Sequence, residues 1–514
     1  MVKRTLIIRF GIIFIQCFAF GQVYAAVFNV KEYGAVGDGK TLDTPAVNKA
    51  IEAAATAGGG TVHFPAGTYL CFSIHLKSNV GLYLDHGATI LAAEPTAEAG
   101  YDPAEPNPWG DEHKYQDFGH SHWHDSLIWG EGLENISILG PGLIYGKGLG
   151  KWDRPDDKGA GNKAIALKLC RNVIIRDVTL LMGGHFCILP TGVDNFTIDN
   201  VKIDTNRDGI NIDCCRNVRI SNCTINSPND DAIVLKSSFA LGYARATEDV
   251  TITNCQVTGY DEGTFLDGTF KRTQEHAPDR GGVTGRIKFG TESNGGFKNI
   301  TISNCVFDRC RGFALETVDG GLLEDVTISN ITMRDITNAP FFLRLGRRMR
   351  GPEGVPVGKL RRVNISNVVV YNAEPRYGSL IMGIPGHDIE DVKLSNIRIL
   401  VTGGAPKEQA AIEVPELETG YPDPRMFGEI PAYGFFIRHV KGIEMNNVEV
   451  GYINKDFRPA FILDDVKDVD FNNVKAKCAP DVPIFVLKNV KDFKTHQCEP
   501  VPDTKIESVG QKNL

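Results

Sequence analysis

The sequence predicts an all-β chain wound as a right-handed parallel β-helix of about ten coils, with an N-terminal cap containing one helix. The main observation is a recurring run of Asn or Asp, apolar, any, apolar, any, Asn or Asp. It appears as Asn172-Val173-Ile174-Ile175-Arg176-Asp177, again at Asn195–Asn200 and Asn217–Asn222, and onward at Asp249–Asn254, Asn299–Asn304, Asp325–Asn330 and Asp391–Asn396. Weaker copies end at Asn367, Asn447 and Asn473. The shortest spacings between closing residues are 22, 23 and 26 residues, and longer ones read as the same coil plus an inserted loop. Period-two strands at that spacing cannot bury their own apolar face, so the coils must stack and share one core. The repeated Asn fits a turn whose side-chain amides bond to the coils above and below. The 55 glycines favour a turn-rich β architecture, and no LxxLxL framework supports a leucine-rich repeat.

In chain order, residues 1–25 read as a signal peptide. Lys3, Arg4 and Arg9 precede an apolar run, and Val23-Tyr24-Ala25 supplies the small-residue cleavage signal. Residues 26–125 form the expected cap and long loop. There Thr44-Pro45 opens a helix through Ala57, which Gly58-Gly59-Gly60 ends. Residues 126–500 form the β-helix, one domain with the cap, and 501–514 a loose tail. Residues 403–432 resemble 95–125 as a Pro- and Gly-punctuated loop. The run His120-Ser121-His122-Trp123-His124 lacks a carboxylate or cysteine at zinc-like spacing, so it predicts polar contacts, not a metal site. Trp109 and Trp123 are candidates for sugar stacking. The twelve cysteines mostly lie in apolar repeat segments and read as buried thiols, with Cys478 and Cys498 an open candidate for a pair. A net charge of −8 without a basic patch argues against nucleic acid, and no segment after residue 25 is long enough to span a membrane.

The chemistry converges on three carboxylates. Aligning the strands by apolar phase lays Asp208-Gly209-Ile210-Asn211-Ile212-Asp213 over Asp231-Ala232-Ile233-Val234-Leu235-Lys236, so Asp208 stacks on Asp231 with Asp230 one residue earlier. Coils are about 4.8 Å apart. Like charges that close cannot all ionise comfortably, and a raised pKa beside ionised carboxylates is what glycoside cleavage requires. His185, eight residues after Asp177, is expected in the same column, as a backbone-bonded structural residue or as a sugar contact.

At these positions the chain resembles glycoside hydrolase family 28, the polygalacturonase family. Asn206-Arg207-Asp208-Gly209 is similar to its Asn-Thr-Asp-Gly motif, and Asn229-Asp230-Asp231 to its Gly-Asp-Asp. Tyr33–Gly39 and Phe64–Tyr69 resemble segments found across pectin-active β-helices. The resemblance implies inverting hydrolysis, with Asp230 as general acid and Asp208 with Asp231 activating water. It also shows two departures. The family's Gly-His-Gly falls on Thr284-Gly285-Arg286, and its Arg-Ile-Lys on Ala314-Leu315-Glu316, so the family's carboxylate-binding cations are missing there. Arg286 and Lys288, one coil beyond Asp231, are candidate replacements, and Arg344, Arg347, Arg348 and Arg350 add a basic loop. Glu316 is read as accepting sugar hydroxyls or as a charge neutralised by Arg or Lys.

The expected function is an exported, exo-acting glycosidase of galacturonate-containing pectic oligosaccharides, either galacturonan or rhamnogalacturonan. Asn206, His185, Lys236, Arg286, Lys288, Glu316 and Arg344 are the candidate sugar contacts. No cofactor or metal is called for, and the oligomeric state is open. A polysaccharide lyase on the same fold and a non-catalytic glycan-binding solenoid are the alternatives.

Overall fold

The structure is a computed structural model that describes residues 26–106, 108, 114–116, 118–150, 161–273 and 282–514. The expected leader at 1–25 and Trp109 lie outside the described residues. From Val27 onward the strands pair in parallel, coil upon coil, on three faces. One face carries Ser126–Glu131, Lys163–Lys168, Phe186–Thr191, Asp208–Asp213, Ile233–Ser237, Ile287–Ser293, Phe313–Thr317 and Phe341–Leu345 in succession. A second stacks Glu134–Leu139, Arg171–Arg176, Asp194–Asp199 and Arg216–Ser221, and a third Leu143–Tyr145, Thr179–Leu181, Lys202–Asp204 and Thr224–Asn226.

Stacking in register places like on like. Ile128, Ile165, Ile188, Ile210, Ile233 and Ile287 are successive partners, and all are fully buried. Each isoleucine packs on its copy above and below, which suits a β-branched side chain. Towards the C-terminal end, Phe435, Phe461 and Phe485 take over the central position, with rings stacked at 5.7 and 5.0 Å.

The ten closing residues of the repeat all adopt left-handed backbone, with φ between 50° at Asn473 and 68° at Asp177. Asn and Asp tolerate this conformation better than other non-glycine residues. Their amides then form ladders: Asn367 donates to Asn330, Asn396 to Asn367 and Asn447 to Asn396 at 2.9–3.1 Å. The opening residues do likewise, with Asn195 donating to Asn172 at 3.0 Å and accepting from Asn217 at 2.7 Å. Asn195→Ala therefore meets both an unfavourable φ of 55° and two broken bonds. It should cost about 1–2 kcal/mol in urea unfolding, and Asn195→Gly less, because glycine relieves the backbone part.

Thr44–Thr56 is the one α-helix among the described residues, and it closes the N-terminal end with Val47, Ala50, Ile51 and Ala54 buried. The side chain of its cap residue Asp43 does not bond the helix. Instead its carboxylate accepts from Val36 and Gly37 N–H at 2.7 and 3.0 Å, pinning the preceding turn. At the other end the expected tail is corrected. Thr504–Asn513 is a strand, antiparallel to Phe485–His496, and it covers the edge that the last coil would otherwise expose. The eleven cysteines beyond residue 25 are free thiols, all but Cys478 buried, and Cys478 and Cys498 are not paired.

Candidate active site

The strand register brings the three aspartates together. Ile210 pairs with Ile233 and Ile212 with Leu235, which sets Asp208 beside Asp231. Each of Asp208, Asp230 and Asp231 offers an oxygen within 4.8 Å of the others. The Asp231 N–H lies 3.2 Å from Asp208 Oδ1 and 3.1 Å from Asp230 Oδ1, so one donor ties two acids to the third. Gly209 is required by space: a Cβ there would stand 2.5 Å from Ile225 and 2.6 Å from the Ala232 carbonyl.

Asp208 is buried, and its pKa lies well above the carboxylate range. Burial is the main cause, and the charges of Asp230 and Asp231 add to it against Lys236. Its Oδ2 accepts from Asn211 Nδ2 at 2.8 Å, and that amide lies 3.1 Å from His120 Nε2. Asp230, on the rim, pairs with Arg207 at 3.0 Å. Asp231 faces two cations, Arg286 Nε at 2.9 Å and Lys288 Nζ at 3.5 Å. The same two approach Glu316 at 4.0 and 3.5 Å. Glu316 is fully enclosed, and burial pushes its pKa up to about 7 despite Lys288 and Arg286. Burial also works against the charges on Lys288 and Arg286, but the neighbouring acids outweigh it and hold both protonated.

Further along the face, Lys236 pairs with Glu292 at 2.7 Å. A register shift between Leu235 and Ser237 bulges the facing strand and turns Glu292 toward the lysine. Burial opposes ionisation of Glu292, yet Lys236, His120, Arg348 and Arg350 hold its pKa well below the usual range.

Two loops close on this face. His120, His122 and His124 dock in turn on Asn211, on Asn162 with Asp125, and on Glu131. Glu105 and Glu131, distant in sequence, both come beside His124. On the far side, 403–432 packs Val414, Phe427, Ile430 and Ala432 against Phe342, Leu380 and Phe436. Its Asp423 accepts from Arg311 at 2.9 Å, and Lys288 Nζ lies 5.8 Å from the Tyr421 ring.

Arg286 and Lys288 stand at Asp231, Lys236 is held by Glu292, and Asn206 accepts from Asn229. Three expectations are corrected. The register partner of Asp208 is Phe186, and His185 lies one residue before it. The turn entering Phe186 is one residue longer than the turn entering Asp208, counted from the paired Leu181 and Asp204. Arg344 is no sugar contact, because its guanidinium is committed to the carbonyls of Gly383, Glu416 and Leu417 at 3.0–3.2 Å. Trp123 is buried, and its indole N–H donates to Thr191 at 3.0 Å, so it offers no stacking face. The basic loop is paired throughout: Arg347 with Glu418, Arg348 with Asp319 and Arg350 with Glu292.

The missing histidine has a structural cause. Gly285 has φ 60°, and a Cβ there would lie 2.4 Å from the Thr258 carbonyl, so no side chain fits. Sequence reasoning did not connect His120 and Asn211, 91 residues apart, to Asp208. It also missed the Arg207–Asp230 pair, although Arg207 stands where the family motif has threonine.

Residues 27–101 match the family model described as rhamnogalacturonase A/epimerase, pectate lyase-like, and residues 113–263 match glycosyl hydrolases family 28. A probable polygalacturonase from Vitis vinifera is 26% identical over 400 residues, 73% of this chain and 74% of the relative. The family 28 exopolygalacturonase of Yersinia enterocolitica superposes with a TM-score of 0.62 at 18% identity, over 87% of this chain and 78% of that one. A hyperthermoactive exopolygalacturonase from Thermotoga maritima gives 0.58 at 17% identity over 96% of each chain. The two structures establish the shared right-handed β-helix, and the family 28 match falls on the segment that carries all three aspartates. The chain is a polygalacturonase-like glycosidase, and its residues 113–263 match glycoside hydrolase family 28.

Proposed function

We propose that the protein hydrolyses galacturonate-containing pectic oligosaccharides from a chain end, with inversion at the anomeric carbon. The observation that carries this reading is the group of three carboxylates flanked by Arg286 and Lys288. Loops pack over the carboxylate face on both sides, which favours a terminal sugar over the middle of a polymer. That the relatives' names specify exopolygalacturonases supports the same choice.

In this mechanism one proton is shared between Asp208 and Asp230, whose Oδ1 atoms both accept from the Asp231 N–H. In the substrate-free site the buried Asp208 holds it, and Arg207 favours the charged form of Asp230. An incoming sugar that draws Arg207 away lets Asp230 take the proton and pass it to the leaving oxygen. Asp231, oriented by Arg286 and Lys288, and the now ionised Asp208 accept the proton of the attacking water. The nearest carboxylate oxygens lie within 4.8 Å, tighter than the about 6.5–9.5 Å of most inverting pairs. Admitting a water therefore requires one carboxylate to swing, and Asp230, at the rim, has the room. Residues 1–25 support export as part of the proposal.

The test is a panel of galacturonan and rhamnogalacturonan oligosaccharides followed by NMR from the first seconds of reaction. A single terminal sugar released with inverted anomeric configuration is expected. Retention, or release of internal fragments, overturns the corresponding part. An unsaturated product lost on chelation identifies a lyase, and binding without release a glycan-binding solenoid.

A further inference from the structure

Glu316 is anomalous. It is wholly buried, yet neither carboxylate oxygen has a hydrogen-bond donor among the described residues. Lys288 and Arg286 approach only to 3.5 and 4.0 Å without a hydrogen bond, Lys288 standing equally far from Asp231 and Arg286 bonded to Asp231 instead. Its register neighbour Arg344 is directed away, to the carbonyls of Gly383 and Glu416. The other charged groups around the cluster are Asp231, Asp423 with its partners Arg311 and Arg425, and Tyr421 over Lys288. A carboxylate enclosed without hydrogen bonds is an expensive state, and the group relieves it by taking a proton.

The charge count then changes. With Glu316 ionised, Arg286 and Lys288 face two acids and are neutralised. With Glu316 protonated they face Asp231 alone, and one positive charge is uncompensated. That charge sits against a catalytic carboxylate, within reach of a sugar held there, and beside it is a carboxylic O–H able to donate. We propose that Arg286, Lys288 and protonated Glu316 form the binding site for the carboxylate of a uronic acid, and that ionisation of Glu316 closes it. Two cations and an acid O–H offer three donors to one anion, the chemistry that selects a carboxylate over a hydroxymethyl group. The position of Glu316, raised to about 7, places the closure near neutrality. This inference rests on the uronide-hydrolase reading above and adds to it a gate on substrate charge.

The experiment is calorimetric titration of the hydrolysis-impaired Asp230→Asn protein with digalacturonate from about pH 5.5 to about pH 8.5, where the ligand stays fully ionised. Affinity should be constant at acid pH and then fall about tenfold per unit above the Glu316 transition. Adding Glu316→Gln, which keeps a neutral donor, should retain the acid-side affinity and flatten the profile. Equal pH dependence with and without Glu316→Gln overturns the inference, as does loss of binding at all pH values in that variant. Absence of binding in either protein at any pH overturns the uronide reading and this inference together. A reading that does not depend on the variant's folding is 13C NMR of glutamate-labelled enzyme. One carboxyl should titrate near neutrality, and titration of every glutamate at ordinary carboxylate pH overturns the proposal.

Discussion

Asp230→Asn should lower kcat on a uronide substrate by about a thousandfold, the scale of a lost general acid. Its melting temperature should stay within a few degrees of the wild type. The substitution is isosteric, and Asp230 lies at the rim, so the change removes a proton donor and one ion pair with Arg207 while the coil stack stays intact. The assignment as acid makes a sharper demand. A glycoside with a nitrophenyl leaving group needs no protonation, so Asp230→Asn should lose far less activity on it than on the natural linkage. Equal losses on both would move the acid to Asp208, whose raised pKa makes it the other candidate.

Lys288→Met should destabilise the protein by about 3–5 kcal/mol, because it leaves Asp231 and Glu316 with one cation between them in a buried setting. The pH dependence follows from Glu316. Its folded pKa, about 7, lies above the ordinary glutamate value of 4.5, so the folded state holds more protons between them. That contribution favours folding at acid pH and is lost as pH rises from about 4.5 to about 7. Without Lys288 the loss should extend to higher pH, because less opposes Glu316's preference for the proton. Adding Glu316→Gln should recover a large part of the deficit and remove this pH dependence. Denaturant unfolding of the two single variants and the double variant at acid and alkaline pH measures the coupling. If the double variant is as unstable as the sum of the singles, Lys288 and Glu316 do not act as a unit.

What the sequence made legible is what a coil repeats. Asn200, Asn222 and Asn254 announce their turns because a left-handed residue with a ladder-forming amide is needed at the same point in every coil. Asp208 could be laid on Asp231 because Ile210 and Ile233 fix the phase on which everything else rests. The readings failed where one coil departs from the next. An extra residue in one turn puts Phe186, not His185, beside Asp208, and a bulge aims Glu292 at Lys236. His120, Arg344 and Trp123 were beyond reach for another reason. Their partners are set by how long loops fold back onto the face, and nothing periodic encodes that. The closing strand Thr504–Asn513 was missed because its burial pattern is mostly exposed, without the apolar alternation that marks a strand half-covered by a core.

Gly285 limits which changes the site can accept. Its left-handed backbone and the Thr258 carbonyl at 2.4 Å from any Cβ mean that a single substitution cannot place a histidine here. The chain would have to re-route the path between Thr258 and Arg286 first, with no benefit until both steps were complete. Arg286 and Lys288 meanwhile hold Asp231, so removing either alone is penalised. Selectivity can therefore change by substitution around these residues more readily than at position 285 itself.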